Sequence, residues 1–286
     1  MAYARRARDS ILSLELRAMT EIHIGAQGWN YGGWIGPFYP RGTSDKDMLR
    51  QYAKVFDTVE IDSTFYAIPS EHSVRLWIDR TPMGFKFSAK LPSEITHKNR
   101  LRDSADYLSR FLERMRLMGE KLGSILIQLP PDFSTAERRS LSGFLKLLPS
   151  DIRFAVEFRD PAWIDETTLS ELKQYNVALT LADSKWIARS LSLETVETPT
   201  ATFAYARWLG PRELTDFSRV QIDRHQEFKQ WADAFQTLRA KVSTIFGYFN
   251  NHYQGHSPAS CNEFKTLIGL PVVDPDELVL QPSLFS

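Results

Sequence analysis

The stretch "RFAVEF", residues 153–158, is a short apolar run with a carboxylate near its end, and "RDPAW" follows it as a turn to Trp163. A run of this length, rich in β-branched and aromatic residues and closed by a turn, reads as a buried strand. Seven more stand along the chain: "IHIGA" (22–26), "TVEID" (58–62), "FKFSAK" (85–90), "SILIQL" (124–129), "VALTLAD" (177–183), "TFAYARW" (202–208) and "TIFGYFN" (244–250). Between them lie segments of helical spacing, clearest at Leu108, Phe111, Leu112 and Met115 and at Phe228, Trp231, Phe235 and Leu238. Such apolar faces pack against a sheet. Strands alternating with helices, with no Pro/Gly/Ser-rich linker between two halves, predict an α/β protein built as a single (β/α)8 TIM-like barrel over residues 21–272. The competing open doubly wound sheet usually carries a glycine fingerprint after its first strand. Here "GWNYGGWIG" (28–36) fits neither G-x-G-x-x-G nor the P-loop.

Composition narrows the class. The 286 residues include 35 basic and 35 acidic side chains, so no net field draws the whole molecule to duplex DNA or an anionic membrane. Cys261 is the only cysteine, which excludes an internal disulfide or a cysteine zinc cluster and suits a reducing compartment. A soluble, cytoplasmic protein is expected, since no apolar run reaches membrane-spanning length. At the N-terminus Arg5, Arg6 and Arg8 precede an apolar stretch, but Glu15 and Arg17 interrupt it, so residues 1–20 read as a poorly ordered extension and not a signal peptide.

In a barrel of this type the site lies at the C-terminal strand ends, and successive side chains alternate between the barrel and the helices. The polar parity of "TVEID" is Glu60 and Asp62, and that of "FKFSAK" is Lys86, Ser88 and Lys90. The other strands deliver Gln128, Glu157 with Arg159, Asp183, Arg207 and Asn250. Two readings stand beside each other: an internal salt-bridge network that holds barrel register, or a pocket. Buried charge costs several kcal/mol unless paired or used, which favours a pocket. Basic groups facing a concave mouth hold a phosphate or carboxylate, and a neighbouring carboxylate serves as acid or base. Glu60 and Glu157 are therefore the expected acid–base pair, with Lys86, Arg159 and Arg207 on the anion. Trp29, Tyr31, Trp34, Tyr39, Phe65, Tyr66, Trp163, Trp208 and Tyr253 add rings that either stack on a ligand or pack the top of the barrel. His252 and His256 are four apart, but Gly255 argues against a helix there, so no metal is assigned and no cofactor is identified. No G-x-S-x-G motif is present.

Several segments resemble the domain of unknown function 72, or YecE-like, family: "GWNYGGWIGPFYP", "VEIDSTFYAIPS", "FKFSAKLPSEITHKNRL", "ILIQLPPDF", "AVEFRDPAW", "FAYARWLG" and "YFNNHYQGHSPASCNEF". They run in the same order from about Ile22 to Leu270. The resemblance implies a TIM-like barrel but no settled reaction. Its motif positions fall on Trp29, Tyr31, Glu60, Thr64, Phe65, Tyr66, Lys86, Gln128, Glu157, Arg159, Arg207, Asn250 and Asn251. The barrel is also similar to metal-dependent apurinic endonucleases and sugar isomerases, whose rich set of histidine ligands this sequence lacks.

The tail, residues 273–286, ends "QPSLFS", and Gln281, Ser283, Leu284 and Phe285 resemble the bacterial sliding-clamp binding pentapeptide, with Pro282 a departure. Leu284 and Phe285 either enter a clamp pocket or fold back on the barrel. Three functions follow: a hydrolase or lyase acting on a phosphate ester or glycosidic bond, in its narrower form within nucleic acid and recruited to the clamp; a barrel enzyme of small phosphorylated or acidic sugars; or a non-catalytic nucleic-acid-binding or adaptor module.

Overall fold

All eight expected strands form in the computed structural model, which describes residues 20–275. They are β1 (Glu21–Gln27), β2 (Thr58–Ile61), β3 (Lys86–Lys90), β4 (Leu122–Gln128), β5 (Phe154–Glu157), β6 (Ala178–Ser184), β7 (Phe203–Gly210) and β8 (Thr244–Phe249). Neighbours pair in parallel, and β8 returns to β1 from Glu21↔Thr244 to Ala26↔Phe249, so the sheet closes into a barrel. Closure leaves no unpaired strand edge. The helices that follow the strands are α1 (Asp45–Tyr52), α2 (Glu71–Asp79), α3 (Ala105–Arg116), α4 (Arg138–Leu145), α5 (Glu166–Gln174), α6 (Arg189–Glu194), α7 (His225–Leu238) and α8 (Ser257–Leu267). Residues 1–19 and 276–286 lie outside the described residues, and with them the N-terminal extension and Gln281, Leu284 and Phe285 of the tail. Among the described residues no helix is long and apolar enough to cross a membrane.

The alternation of each strand divides the core in two. Ile24 and Ala26, Val59 and Ile61, Phe87 and Ala89, Ile125 and Ile127, and Leu179 and Leu181 face outward into the large core under the helices. Leu108, Phe111, Leu112 and Met115 are the buried stripe of α3, and Phe228, Trp231, Phe235 and Leu238 that of α7. Each such side chain stabilises the fold by about 1.5–3 kcal/mol on burial. The opposite parity fills the barrel with Leu126, Ala155, Ala178, Phe203, Tyr205, Phe246 and Tyr248. The His23 ring stacks on Phe246 at 5.3 Å. Above that plug the Tyr248 hydroxyl meets Thr58 Oγ1 at 2.7 Å and Ser88 Oγ at 2.8 Å, so the lining turns polar toward the C-terminal end.

Three local devices shape that end. The Tyr52 hydroxyl, at the close of α1, accepts from the Ala26 amide at 2.7 Å and donates to the Thr58 carbonyl at 2.9 Å, bridging β1 and β2 below their Ala26↔Val59 pairing. Gly210 ends β7 at φ +67°, where a Cβ would lie 2.2 Å from the His252 carbonyl, so only glycine lets the loop after β8 pack this closely. After β3 the chain turns through a π-helical segment, Glu94–Lys98, which carries His97 toward the barrel mouth.

Candidate functional site at the barrel mouth

Strand parity delivers Glu60 from β2, Lys90 from β3, Gln128 from β4, Glu157 from β5 and Arg207 from β7 to the upper barrel, with Arg159 and Asn250 just beyond β5 and β8. Arg207 is the centre of the arrangement. Its Nη2 donates to Glu60 Oε1 at 2.7 Å and its Nη1 to Glu157 Oε2 at 2.5 Å. Tyr205, two residues earlier on the same face of β7, donates its hydroxyl to Glu60 Oε2 at 2.6 Å. Arg159 Nε donates to Glu157 Oε1 at 3.3 Å. All three members of the central triad are at most 2% exposed. Removing one partner from such a buried set strands the charge of the others, so the set is held together as a unit.

The two glutamates sit in different fields. Burial raises the pKa of Glu60, and Asp62 adds to the rise, while Arg207 and the Tyr205 hydroxyl offset part of it. Burial acts on Glu157 in the same sense, but Arg207, Arg159 and Lys90 outweigh it and hold its carboxyl below the usual range. Carboxyls whose environments push their titrations apart are suited to opposite acid–base roles.

Lys90 is 7% exposed, and its Nζ lies 4.0 Å above the centre of the Phe65 ring. Burial, helped by Arg207 and opposed by Asp62, Glu157 and Glu60, lowers the ammonium pKa to about 8. The Arg159 guanidinium stacks 3.9 Å over the Trp186 ring, with Nε as the nitrogen bonded to Glu157. His97 meets Phe65 edge-on at 4.9 Å. Its imidazole is lowered to about 4, first by burial and then by Lys90 and Arg159.

Other sequence-read candidates take different places. Lys86 opens β3 at the opposite, N-terminal end of the barrel, where its Nζ donates to the Glu120 carbonyl at 2.9 Å. Its parity is that of Lys90, but it lies four residues lower. Asp183 shares the outward parity of Leu179 and Leu181. Its Oδ2 accepts from Arg189 Nε at 2.9 Å, Trp231 Nε1 at 3.0 Å and the Tyr253 hydroxyl at 2.8 Å, tying β6 to α6, α7 and the loop after β8. Asn251 Oδ1 accepts from Trp34 Nε1 and from the Ser257 amide and hydroxyl, each at 3.0 Å, which staples the β1 and β8 loops. Gln128 is 1% exposed and donates to the Leu129 carbonyl at 2.5 Å.

The aromatic set also divides. Trp34, Tyr39, Trp163, Trp208 and Tyr253 are packing groups, none more than 1% exposed. Trp29 meets Trp77 edge-on at 6.0 Å. Phe65 lies beneath Lys90, and Tyr66, 81% exposed, stands on the rim against it. Tyr31 donates to the Gln27 carbonyl at 2.8 Å, and its phenol is raised by burial and by Asp62 and Glu60.

Sequence reading missed Gln27, Tyr205, His97 and Trp186 as members of this constellation. Gln27 and Tyr205 carry the same inward parity as their neighbours, a signal present in the strands but masked by the choice of charged residues. His97 and Trp186 sit on loops, where no period applies. Asn250 Nδ2 donates to Gln27 Oε1 at 2.9 Å. Among the described residues, Gln27 Nε2, Asp62 Oδ1 and Arg207 Nε are buried and make no hydrogen bond, so polar capacity at this end is unspent. His252 lies on a single 3₁₀ turn, Asn251–Tyr253, and His256 precedes α8, with Gly255 at φ +112° between them. Among the described residues no three His, Cys, Asp or Glu side chains gather as a metal ion would require.

Fold and site together define a parallel (β/α)8 barrel whose closed interior opens onto a buried Glu–Arg–Glu array. The chain belongs to the DUF72 family, described as a protein of unknown function, whose model matches residues 23–281. UPF0759 protein YecE of Escherichia coli K12 is 29% identical over 229 residues, covering 73% of this chain and 82% of the relative. UPF0759 protein YunF of Bacillus subtilis 168 is 26% identical over 272 residues, covering 87% and 95%. Among solved structures, a DUF72 family protein of Thermotoga maritima superposes with a TM-score of 0.74 at 24% identity, over 87% of this chain and 99% of that one. One from Enterococcus faecalis gives 0.68 at 18% identity, over 88% and 99%. Both have the same fold.

Proposed function

We propose that the barrel mouth binds an anionic substrate bearing a phosphate or carboxylate, and that Glu60 moves a proton on it while Glu157 stays ionised. The observation that carries this reading is the state of the cations. Arg207 is spent between two carboxylates, whereas Arg159 offers its terminal nitrogens and Lys90 its ammonium in a buried, aromatic-walled recess. A guanidinium braced on an aromatic face is suited to a bidentate grip on an oxyanion. Lys90 takes the part in the anion site first read for Lys86. Hydrolysis or elimination at a phosphate ester or glycosidic bond is the reaction class that suits an acid beside a permanent carboxylate.

Thermal denaturation in inorganic phosphate and in sn-glycerol 3-phosphate tests it. Saturable stabilisation is expected in the wild type, with affinity reduced at least about tenfold in Arg159→Met, the loss of one charge-assisted contact. Equal midpoints at all ligand concentrations sink the anion reading.

The tail favours a second, narrower reading in which the anion belongs to nucleic acid and Gln281, Leu284 and Phe285 recruit the protein to the bacterial DNA sliding clamp. Calorimetric titration of a clamp with the full chain and with its Leu284→Ala, Phe285→Ala variant decides it. Saturable heat lost in the variant supports recruitment. No heat from the intact tail removes it and leaves small phosphorylated or acidic sugars as the substrate class.

A further inference from the structure

We propose that Lys90 is an imine-forming nucleophile, and that the anionic substrate of the mouth carries an aldehyde or ketone whose carbonyl carbon Lys90 Nζ attacks. This rests on the anion-binding reading above and adds a covalent step to it. Lys90 ends β3 on the inward parity, beside the Glu60–Arg207–Glu157 array, and is 7% exposed. Yet its ammonium makes no hydrogen bond or ion pair among the described residues, and its close contact is the face of Phe65 at 4.0 Å.

A lysine kept for structure looks different in this protein. Lys121 Nζ is held by the Ile78 carbonyl at 2.7 Å, the Thr81 carbonyl at 2.8 Å and Thr81 Oγ1 at 3.1 Å, and Lys86 Nζ by the Glu120 carbonyl. Lys265 is 8% exposed but lies over Phe56 in the groove at the far end of the barrel, away from the glutamates. Lys90 alone of these four combines burial, unspent donors and two buried carboxyls nearby. Desolvation against an aromatic face, with another cation close by, is how a lysine is made nucleophilic near neutral pH.

The surroundings supply the remaining parts. The neutral amine adds to the carbonyl carbon, the C=O electrons pass to oxygen, and the proton released by nitrogen follows them to give a carbinolamine. Glu60, the carboxyl that burial keeps protonated to higher pH, donates a proton to the hydroxyl. The C–O bond breaks, water leaves and an iminium remains beside ionised Glu60. No oxidant or reductant enters. Arg159 holds the substrate's anionic group at a distance from the reacting carbon.

The groups that face Lys90 are Glu60 and Asp62 from the end of β2, Glu157 from β5, Arg207 from β7 and His97 from the turn after β3. With the Lys90 ammonium at about 8 against 10.5 for an ordinary lysine, the amine form at pH 7 is enriched by roughly two orders of magnitude.

The experiment is reductive trapping on the full chain. D-glyceraldehyde 3-phosphate is added with sodium borohydride at pH 7, the modified site is mapped by peptide mass spectrometry, and sn-glycerol 3-phosphate, which has the anion but no carbonyl, is run in parallel as a thermal-shift ligand. We expect adduct at Lys90 roughly a hundredfold faster than at Lys265 or any surface lysine. The trapping rate should rise about tenfold per pH unit below 8 and level above it. Lys90→Arg, which keeps the charge but cannot form an imine, should lose the adduct. Lys90→Met, checked for cooperative unfolding, should also lose it. Stabilisation by glycerol 3-phosphate with label scattered over surface lysines and none at Lys90 overturns the imine and leaves the anion site standing. Neither stabilisation nor adduct overturns both. Adduct at Lys90 without stabilisation supports the nucleophile and removes the anion site.

Discussion

Lys90 holds its charge at a cost to the fold. The folded protein keeps its ammonium at about 8, whereas the unfolded chain titrates near 10.5. Between those values the unfolded state binds the extra proton, so stability rises with pH across that window, and at pH 7 the charged side chain is a net penalty. Lys90→Met is therefore expected to raise stability at pH 7 by on the order of 3 kcal/mol, seen as a higher urea midpoint with unchanged slope, and the gain should vanish as pH approaches 10.5. An unchanged or lower midpoint at pH 7 would mean that the ammonium is well solvated or paired. Glu157→Gln should act in the opposite direction. It leaves Arg207 and Arg159 facing a neutral amide, and breaking a buried pair in this way costs about 3–5 kcal/mol.

At the level of elements, strands and helices are joined by polar bolts that hydrophobic periodicity does not reveal. Asp183 fastens β6 to two helices and a loop, and the Tyr52 hydroxyl completes the backbone bonding of β1 and β2. Tyr52→Phe keeps the ring in the core but orphans the buried Ala26 amide and Thr58 carbonyl. A loss of about 1–3 kcal/mol is expected, with faster amide exchange at Ala26. A loss below about 0.5 kcal/mol would show that water replaces the hydroxyl. The apolar stripes of α3 and α7 were legible in the chain because a period of 3.6 depends on nothing beyond the helix itself. Asp183 was read as a mouth residue from its charge and its place at a strand's end, ahead of its parity. Its two-residue offset from Leu181 sets it outward.

Over the whole molecule, the summed field of the mouth is visible at His97. Burial, then Lys90 and Arg159, lower its imidazole to about 4 from 6.5. The fold thus holds a neutral histidine that the unfolded chain would protonate, so this stabilisation is complete above pH 6.5 and is lost as pH falls from 6.5 toward 4. The thermal midpoint should drop across that interval, and His97→Gln should flatten the drop. An identical acid profile in the variant would exclude the histidine as its source. The strands, their alternation and the closed count needed for a barrel were set by the sequence itself, since a period of two and the recurrence of strand and helix are properties of the local chain. So was the inward set containing Glu60, Glu157 and Arg207. What the tertiary structure alone decided was height and partnership. Lys90 reaches the mouth and Lys86 does not, because the sheet's register fixes which end of β3 is uppermost. Arg207 lies between carboxylates 50 and 147 residues away, a proximity created by closing the sheet across the barrel and carried by no local pattern.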